Sequence, residues 1–171
     1  MKTIIKKSIV LFAFACIFSS VSVMAQDLSF QKGTKVVQVG VGIGSNVGLP
    51  ISAGFEFGLS DKFGLGLTAG FASKDWGALG YKATYIPFGL KGNFHFYRTE
   101  SLDTYAGAMA GYMIANVKYN NGSTTGNLNL SGIVYGGYAG ARYYFTPAIG
   151  VFAEAGYGTL GYLTAGVALK F

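Results

Sequence analysis

Residues 51–72, ISAGFEFGLSDKFGLGLTAGFA, alternate along their length: Ile51, Ala53, Phe55, Phe57 and Leu59 share one face, and Ser52, Gly54, Glu56 and Gly58 share the other. A period of two is the signature of a strand with unlike faces. Segments of this kind recur eight times, over 36–45, 51–60, 63–73, 83–97, 103–118, 131–145, 149–158 and 161–171. Their connections alternate in length. Asp61-Lys62, Arg98 to Leu102 and Thr146-Pro147-Ala148 are short, whereas Asn46 to Pro50, Lys74 to Lys82 and Tyr119 to Leu130 are longer; Thr159-Leu160 breaks the alternation by being short. Pro87 falls inside the fourth segment, where it removes a ladder donor, so a bulge or the end of the strand is expected there. In the fifth segment Tyr105, Met109 and Met113 oppose Ala106, Tyr112 and Ile114, both sets apolar, and the inward face stays undetermined.

The polar face is the informative one. In a soluble sandwich it would meet water and carry lysine, glutamate and threonine, yet here it is largely glycine, a poor residue for an exposed strand. A closed sheet with its apolar face turned outward to lipid and its small residues crowded inside accounts for both faces. After the N-terminal segment no stretch is long enough for a membrane helix, and a membrane chain without helices must close its sheet to satisfy its backbone. The expected fold is therefore all-β: an eight-stranded antiparallel up-and-down transmembrane β-barrel over 36–171, with 26–35 as a lead-in.

Phase assigned from the apolar residues alone can be checked against the charges. With Val37, Val39 and Val41, Phe55 and Phe57, Leu65 and Leu67, Phe88 and Leu90, Val151, and Val167 and Leu169 outward, Glu56, Lys91, Glu154, Lys170 and His95 all turn inward. Ile133, Ala139 and Phe145 as the outward set of the sixth segment place Arg142 inside as well. Glu56, Lys91, Arg142 and Glu154 lie near the short-turn ends of their strands, and one interior layer of neutralising charges is expected, with Arg142 and Glu154 as diagonal neighbours across a hairpin. Aromatics gather at strand ends, Phe63, Phe96, Tyr143, Phe145 and Phe171 at one boundary and Phe71, Tyr85, Tyr135 and Tyr157 at the other, as interfacial girdles would.

The first residues belong to a different pattern. Lys2, Lys6 and Lys7 precede the apolar run Ile9 to Phe18, and Val23-Met24-Ala25 offers small residues for cleavage, so residues 1–25 read as a secretory signal peptide. Cys16, the single cysteine, lies within that run; a lipoprotein reading of it is disfavoured by the bulky Phe14 and by the run continuing past it. The mature part would then have no thiol chemistry. Its net charge falls from +6 to +3, since three lysines leave and no acid does, and no basic cluster remains to suggest nucleic-acid binding.

The chain closes on Thr164-Ala165-Gly166-Val167-Ala168-Leu169-Lys170-Phe171. This resembles the terminal β-signal of outer-membrane proteins, with Thr164, Gly166, Leu169 and Phe171 on its polar, glycine, hydrophobic and aromatic positions. With the signal peptide and the phased strands, residues 33–171 resemble the outer-membrane protein β-barrel domain family, small eight-stranded barrels similar to outer membrane proteins A and X. The resemblance implies export through the general secretory pathway, residence as a monomer in the outer membrane of a Gram-negative cell, and contact with outer-membrane lipid. It also implies handling by periplasmic chaperones and the barrel-assembly machinery. As nothing follows Phe171, the peptidoglycan-binding domain of larger relatives is not expected.

Among function classes, an eight-stranded barrel has an interior that side chains can fill. The inward set, many glycines with Glu56, Thr68, Lys91, Asn93, Tyr138, Arg142, Tyr144, Phe152 and Glu154, reads as a plug; a narrow porin-like channel for water, ions or small solutes is the alternative. A lipid-modifying hydrolase would need a nucleophile, a base and an orienting acid together. His95, the single histidine, is followed by Phe96 and Tyr97, and Asn93 and Tyr97 on its face complete no such constellation, so no catalytic residue, cofactor or metal is expected. Gly40-x-Gly42-x-Gly44 lies within a strand and lacks the following helix that phosphate binding requires. A lipocalin-like binder predicts the reverse phase, apolar inside and polar outside. A structural or surface-interaction role through the loops around Trp76 and Asn120 to Asn129 remains.

Overall fold

Each alternating segment forms a strand, and each strand pairs with the next in sequence because short connections leave antiparallel neighbours as the easiest partners. The computed structural model describes residues 28–43, 48–77, 80–120, 125–158 and 160–171. The 1–25 segment lies outside the described residues. The strands are β1 (Lys35–Ile43), β2 (Ile51–Gly58), β3 (Phe63–Trp76), β4 (Tyr81–Arg98), β5 (Leu102–Asn120), β6 (Thr125–Asn129), β7 (Gly132–Tyr144), β8 (Ile149–Tyr157) and β9 (Leu163–Lys170).

Nine strands make an eight-stranded barrel, because β6 and β7 are one strand with a local break. The register of β5 against both is continuous: Asn116 faces Asn129 and Met113 faces Gly132. At the break the Ser131 hydroxyl accepts the Ala115 N–H at 3.1 Å, doing for the ladder what the main chain does elsewhere. Closure comes from β1 pairing with β9, Val37 opposite Leu169 and Gly40 opposite Gly166. The Lys35 and Phe171 main chains bond to each other in both directions at that seam.

Burial alternates as the sequence phase requires. On β1, Val36, Gln38, Gly40 and Gly42 are buried while Val39, Val41 and Ile43 are exposed. The exterior carries a continuous apolar belt that includes Phe55, Leu67, Phe88, Leu90, Ile133, Val151 and Val167, all exposed. Its two edges are aromatic, with Phe63, Phe96, Tyr143 and Phe145 toward the short turns and Phe71, Tyr135 and Tyr157 toward the loops, all exposed. Tyr85 does not belong to that edge. It is half-buried and shares the inward parity of the buried Ala83.

Three local expectations are corrected. Pro87 neither shifts register nor ends β4: it pairs opposite Met113, and the strand runs six residues further toward the loops. Only the ladder to β3 skips there, between Phe88 and Tyr85. The bulge lies instead between His95 and Tyr97 at the other end of β4, and it turns Tyr97 out to an exposed position, off the face of His95. Lastly, Trp76 and most of 119–130 are not loop. Trp76 pairs with Tyr81, and Asn120 with Thr125, so two hairpins continue the sheet beyond the apolar belt. These extensions rise past the apolar belt into polar surroundings, so the alternation that marks a strand in the sequence is lost there although the ladder is not.

Candidate functional site

The fifth segment's phase is settled by burial: Asp103, Tyr105, Met109 and Ala115 are buried, and Ala106, Ala108, Ala110, Tyr112 and Ile114 are exposed. This brings into the lumen an acid and a phenol that the sequence pattern left unplaced. Asp103 stands directly opposite Arg142 in the β5–β7 ladder. Arg142, fully buried, donates from Nη1 to Asp103 Oδ2 at 3.1 Å, from Nη2 to Gln38 Oε1 at 3.0 Å, and from Nη2 to Glu56 Oε2. His95 lies between the same two carboxylates, Nδ1 2.7 Å from Asp103 Oδ1 and Nε2 2.9 Å from Glu56 Oε1. Carboxylates only accept, so a ring protonated on both nitrogens is the form that bonds to both.

One step toward the loops a second group forms. Lys91 Nζ is 2.9 and 3.1 Å from the two Glu154 oxygens, and the Tyr105 hydroxyl donates to Glu154 at 2.8 Å. Gln38 joins the two groups: its Nε2 donates to Tyr105 at 3.2 Å while its Oε1 accepts from Arg142. Tyr138 donates to Asn93 beside them. Three inward cations also sit over inward tyrosine faces, Arg142 4.3 Å from Tyr105, Lys91 4.3 Å from Tyr138 and Lys170 4.7 Å from Tyr144.

Glu56, Lys91, Arg142 and Glu154 therefore face the lumen in two tiers, and the expected contact between Arg142 and Glu154 is replaced. The reason is Asp103: with a carboxylate directly across the ladder and Glu56 from β2, Arg142 is matched, and Glu154 takes Lys91. Asp103, His95, Gln38 and Tyr105 complete the network. Gln38 stands among valines as the one polar side chain at an inward position of β1.

Glycine creates the room. A Cβ on Gly64 would strike the Glu56 carboxylate, and one on Gly140 would come within 2.9 Å of both the Tyr105 ring and Glu154 Cγ. The glycine-rich face of the sequence is thus the complement of a few large polar side chains.

The lead-in seals the short-turn end. Phe30, fully buried, stacks on His95 with ring centroids 3.5 Å apart and planes 7° from parallel. It is held by backbone and side-chain bonds from Ser29 to Thr99 and Leu102, and by Arg98 donating to the Phe30 carbonyl at 3.1 Å. Gly33, at φ 86°, allows the chain to turn from this plug into β1. At the loop end the lumen stays partly open, a cavity of about 60 Å³ with Lys91 and Glu154 at its floor and walls that include Ser52, Gly54, Thr68 and Thr164. That volume is enough for a few water molecules.

Among the described residues no grouping of His, Cys, Asp or Glu could hold a metal ion. His95 has an acid on each ring nitrogen where a hydrolase would need a nucleophile on one, and Phe30 covers it.

Solved structures share this architecture across most of the chain. A de novo designed transmembrane β-barrel superposes with a TM-score of 0.56 at 21% identity, covering 82% of this chain and 98% of that one. Neisserial surface protein A gives 0.55 at 15%, covering 81% and 96%, and the N-terminal β-barrel domain of Pseudomonas aeruginosa OprF gives 0.54 at 19%, covering 82% and 98%. The fold is that of the small eight-stranded outer-membrane barrels. No protein-family model and no curated protein matches the chain in sequence. One of these neighbours is a designed chain, and likeness of fold by itself carries no particular activity.

Proposed function

We propose that the chain is an integral outer-membrane barrel, non-enzymatic, with a lumen closed by side chains and a structural or surface-interaction role exercised at its loop end. The observation that carries this reading is the pairing of an apolar belt around the whole exterior with a charged network inside. Lipid is the solvent such an exterior suits, and the network fills the width that a conducting pore would need. Phe30 and His95 close one end and the Lys91–Glu154 pair narrows the other. The terminal strand fits an assembly role: Thr164 and Gly166 lie opposite Gly42 and Gly40, and Leu169 opposite Val37, at the closing seam.

Two measurements test the proposal in sequence. The mature chain refolded in detergent micelles should migrate differently on a denaturing gel unboiled than boiled, since closed membrane barrels resist the detergent until heated. A chain that folds without detergent and shows no shift would end the membrane reading. In a planar bilayer the folded protein should give no steps in current; discrete steps would favour the porin-like alternative.

A further inference from the structure

Where the β3–β4 and β5–β6 hairpins leave the apolar belt, two lysines stand side by side. On the outward face of these strands Ile86 lies opposite Ile114, then Thr84 opposite Asn116, then Lys82 opposite Lys118. Lys82 and Lys118 are both exposed. Like charges directly opposite in an antiparallel pair repel and destabilise it. A single acid, Asp75 across from Lys82, flanks the pair on one side and the neutral Asn127 on the other. Neither lysine forms an ion pair among the described residues, although the lumenal cations Lys91 and Arg142 do.

Height makes the pair specific. Each lysine lies four positions along its strand from its isoleucine, and with a rise of ~3.4 Å per residue on a tilted strand the lysine Cα atoms sit about 10 Å above the last apolar row. A headgroup layer is about 5–7 Å deep on each side of the hydrocarbon core, so the lysine stems reach its phosphates by folding back toward the membrane. The intervening Thr84 and Asn116 row is polar, as a headgroup zone requires. An open groove of about 650 Å³ beside the lysines is also lined by Tyr81 and Tyr119, whose rings lie 6.4 Å apart.

We infer that Lys82 and Lys118 form a docking site for the phosphate of an anionic membrane lipid, bound from the lipid side at the loop end. The inference rests on the barrel being membrane-embedded, and it adds a ligand class and two residues to that reading. Two adjacent ammonium groups supply up to six N–H donors to one phosphate, and the anion removes the repulsion that the bare pair carries.

The test uses the mature chain refolded in zwitterionic micelles, titrated with phosphatidic acid as the probe and followed by native mass spectrometry. Bound phosphatidic acid should survive at least one copy per barrel, phosphatidylcholine should not, and K82Q/K118Q should weaken retention by roughly tenfold or more. The K32Q/K62Q variant, at the opposite end, should retain the lipid as the parent does. Equal retention by K82Q/K118Q, or equal loss in K32Q/K62Q, would overturn the site. Displacement of the lipid by inorganic phosphate at matched concentration would also overturn it, in favour of a free-phosphate site. The heat-dependent gel shift of both variants reports folding separately: its loss in the parent would defeat the membrane reading itself, whereas its retention with unchanged lipid binding would defeat only the lysine site.

Discussion

The two halves of the lumen are built on the same alternation and the same glycine-rich face, yet one is solid and the other hollow. Toward the short turns, Arg142, Asp103 and His95 are fully buried and bonded to one another, with Phe30 laid over them. Toward the loops the inward positions hold serine, threonine, glycine and proline, and a cavity remains. A barrel of this width is therefore closed not by its strand number alone but by a handful of large side chains set among glycines. Filling is a local property of the sequence, and closure is a global one.

Substitutions in the two halves should have effects of very different size. The largest is expected for Arg142→Met, which leaves two buried carboxylates, Glu56 and Asp103, with His95 as the one cation between them; breaking a buried pair in this way costs about 3–5 kcal/mol. The temperature at which the unboiled gel form is lost should fall steeply, and a shift no larger than that of a surface lysine variant would mean the network is not structural. An intermediate effect is expected for Gly140→Ala, whose added Cβ meets the Ala153 carbonyl, Glu154 Cγ and the Tyr105 ring, each at 2.9 Å. Overpacking of this kind costs about 1–3 kcal/mol, read as a lower denaturant midpoint. The smallest is expected for Gly54→Ala in the hollow half, where the nearest atom to a new Cβ is the Leu67 carbonyl at 3.5 Å. Restricting the unfolded chain should make it neutral or stabilising by up to about 1 kcal/mol. Equal costs at Gly140 and Gly54 would erase the distinction between the halves.

Much of the barrel can be read from the chain because lipid-facing strands must alternate, and the strands of the belt begin and end within a few residues of the pattern. What escapes the pattern does so for physical reasons. β6 and the ends of β3, β4 and β5 rise past the apolar belt into polar surroundings, so Asp75, Lys82, Lys118 and Asn127 carry no alternating hydrophobicity although their backbones pair. Strand β5 offers two apolar faces, because Ala106 and Ile114 meet the exterior while Tyr105 and Met109 fill the interior. Without its phase Asp103 has no assigned side, and Arg142 is then matched to the wrong acid. The inward direction of Glu56, Lys91, Arg142 and Glu154 follows from neighbours in the same strand. Their partners depend on which strands lie beside or across the lumen, which no single strand records. Phe30 is more elusive still: one aromatic before the first strand carries no periodic signal, and only the turn at Gly33 shows where it goes.

The seam between β1 and β9 gives the fold a means of checking its own completeness. Every other adjacent pair of strands in the ring is close in sequence and can zip as soon as its hairpin exists, but this one joins the earliest strand to the latest. A nascent chain lacking β9 presents two unpaired edges, that of β1 and that of β8, rows of bare N–H and C=O groups that lipid will not tolerate. Such a fragment cannot settle into a bilayer as a smaller barrel of the same design. Closure therefore waits for the last strand, and the mutual bonds of Lys35 and Phe171 complete the ring.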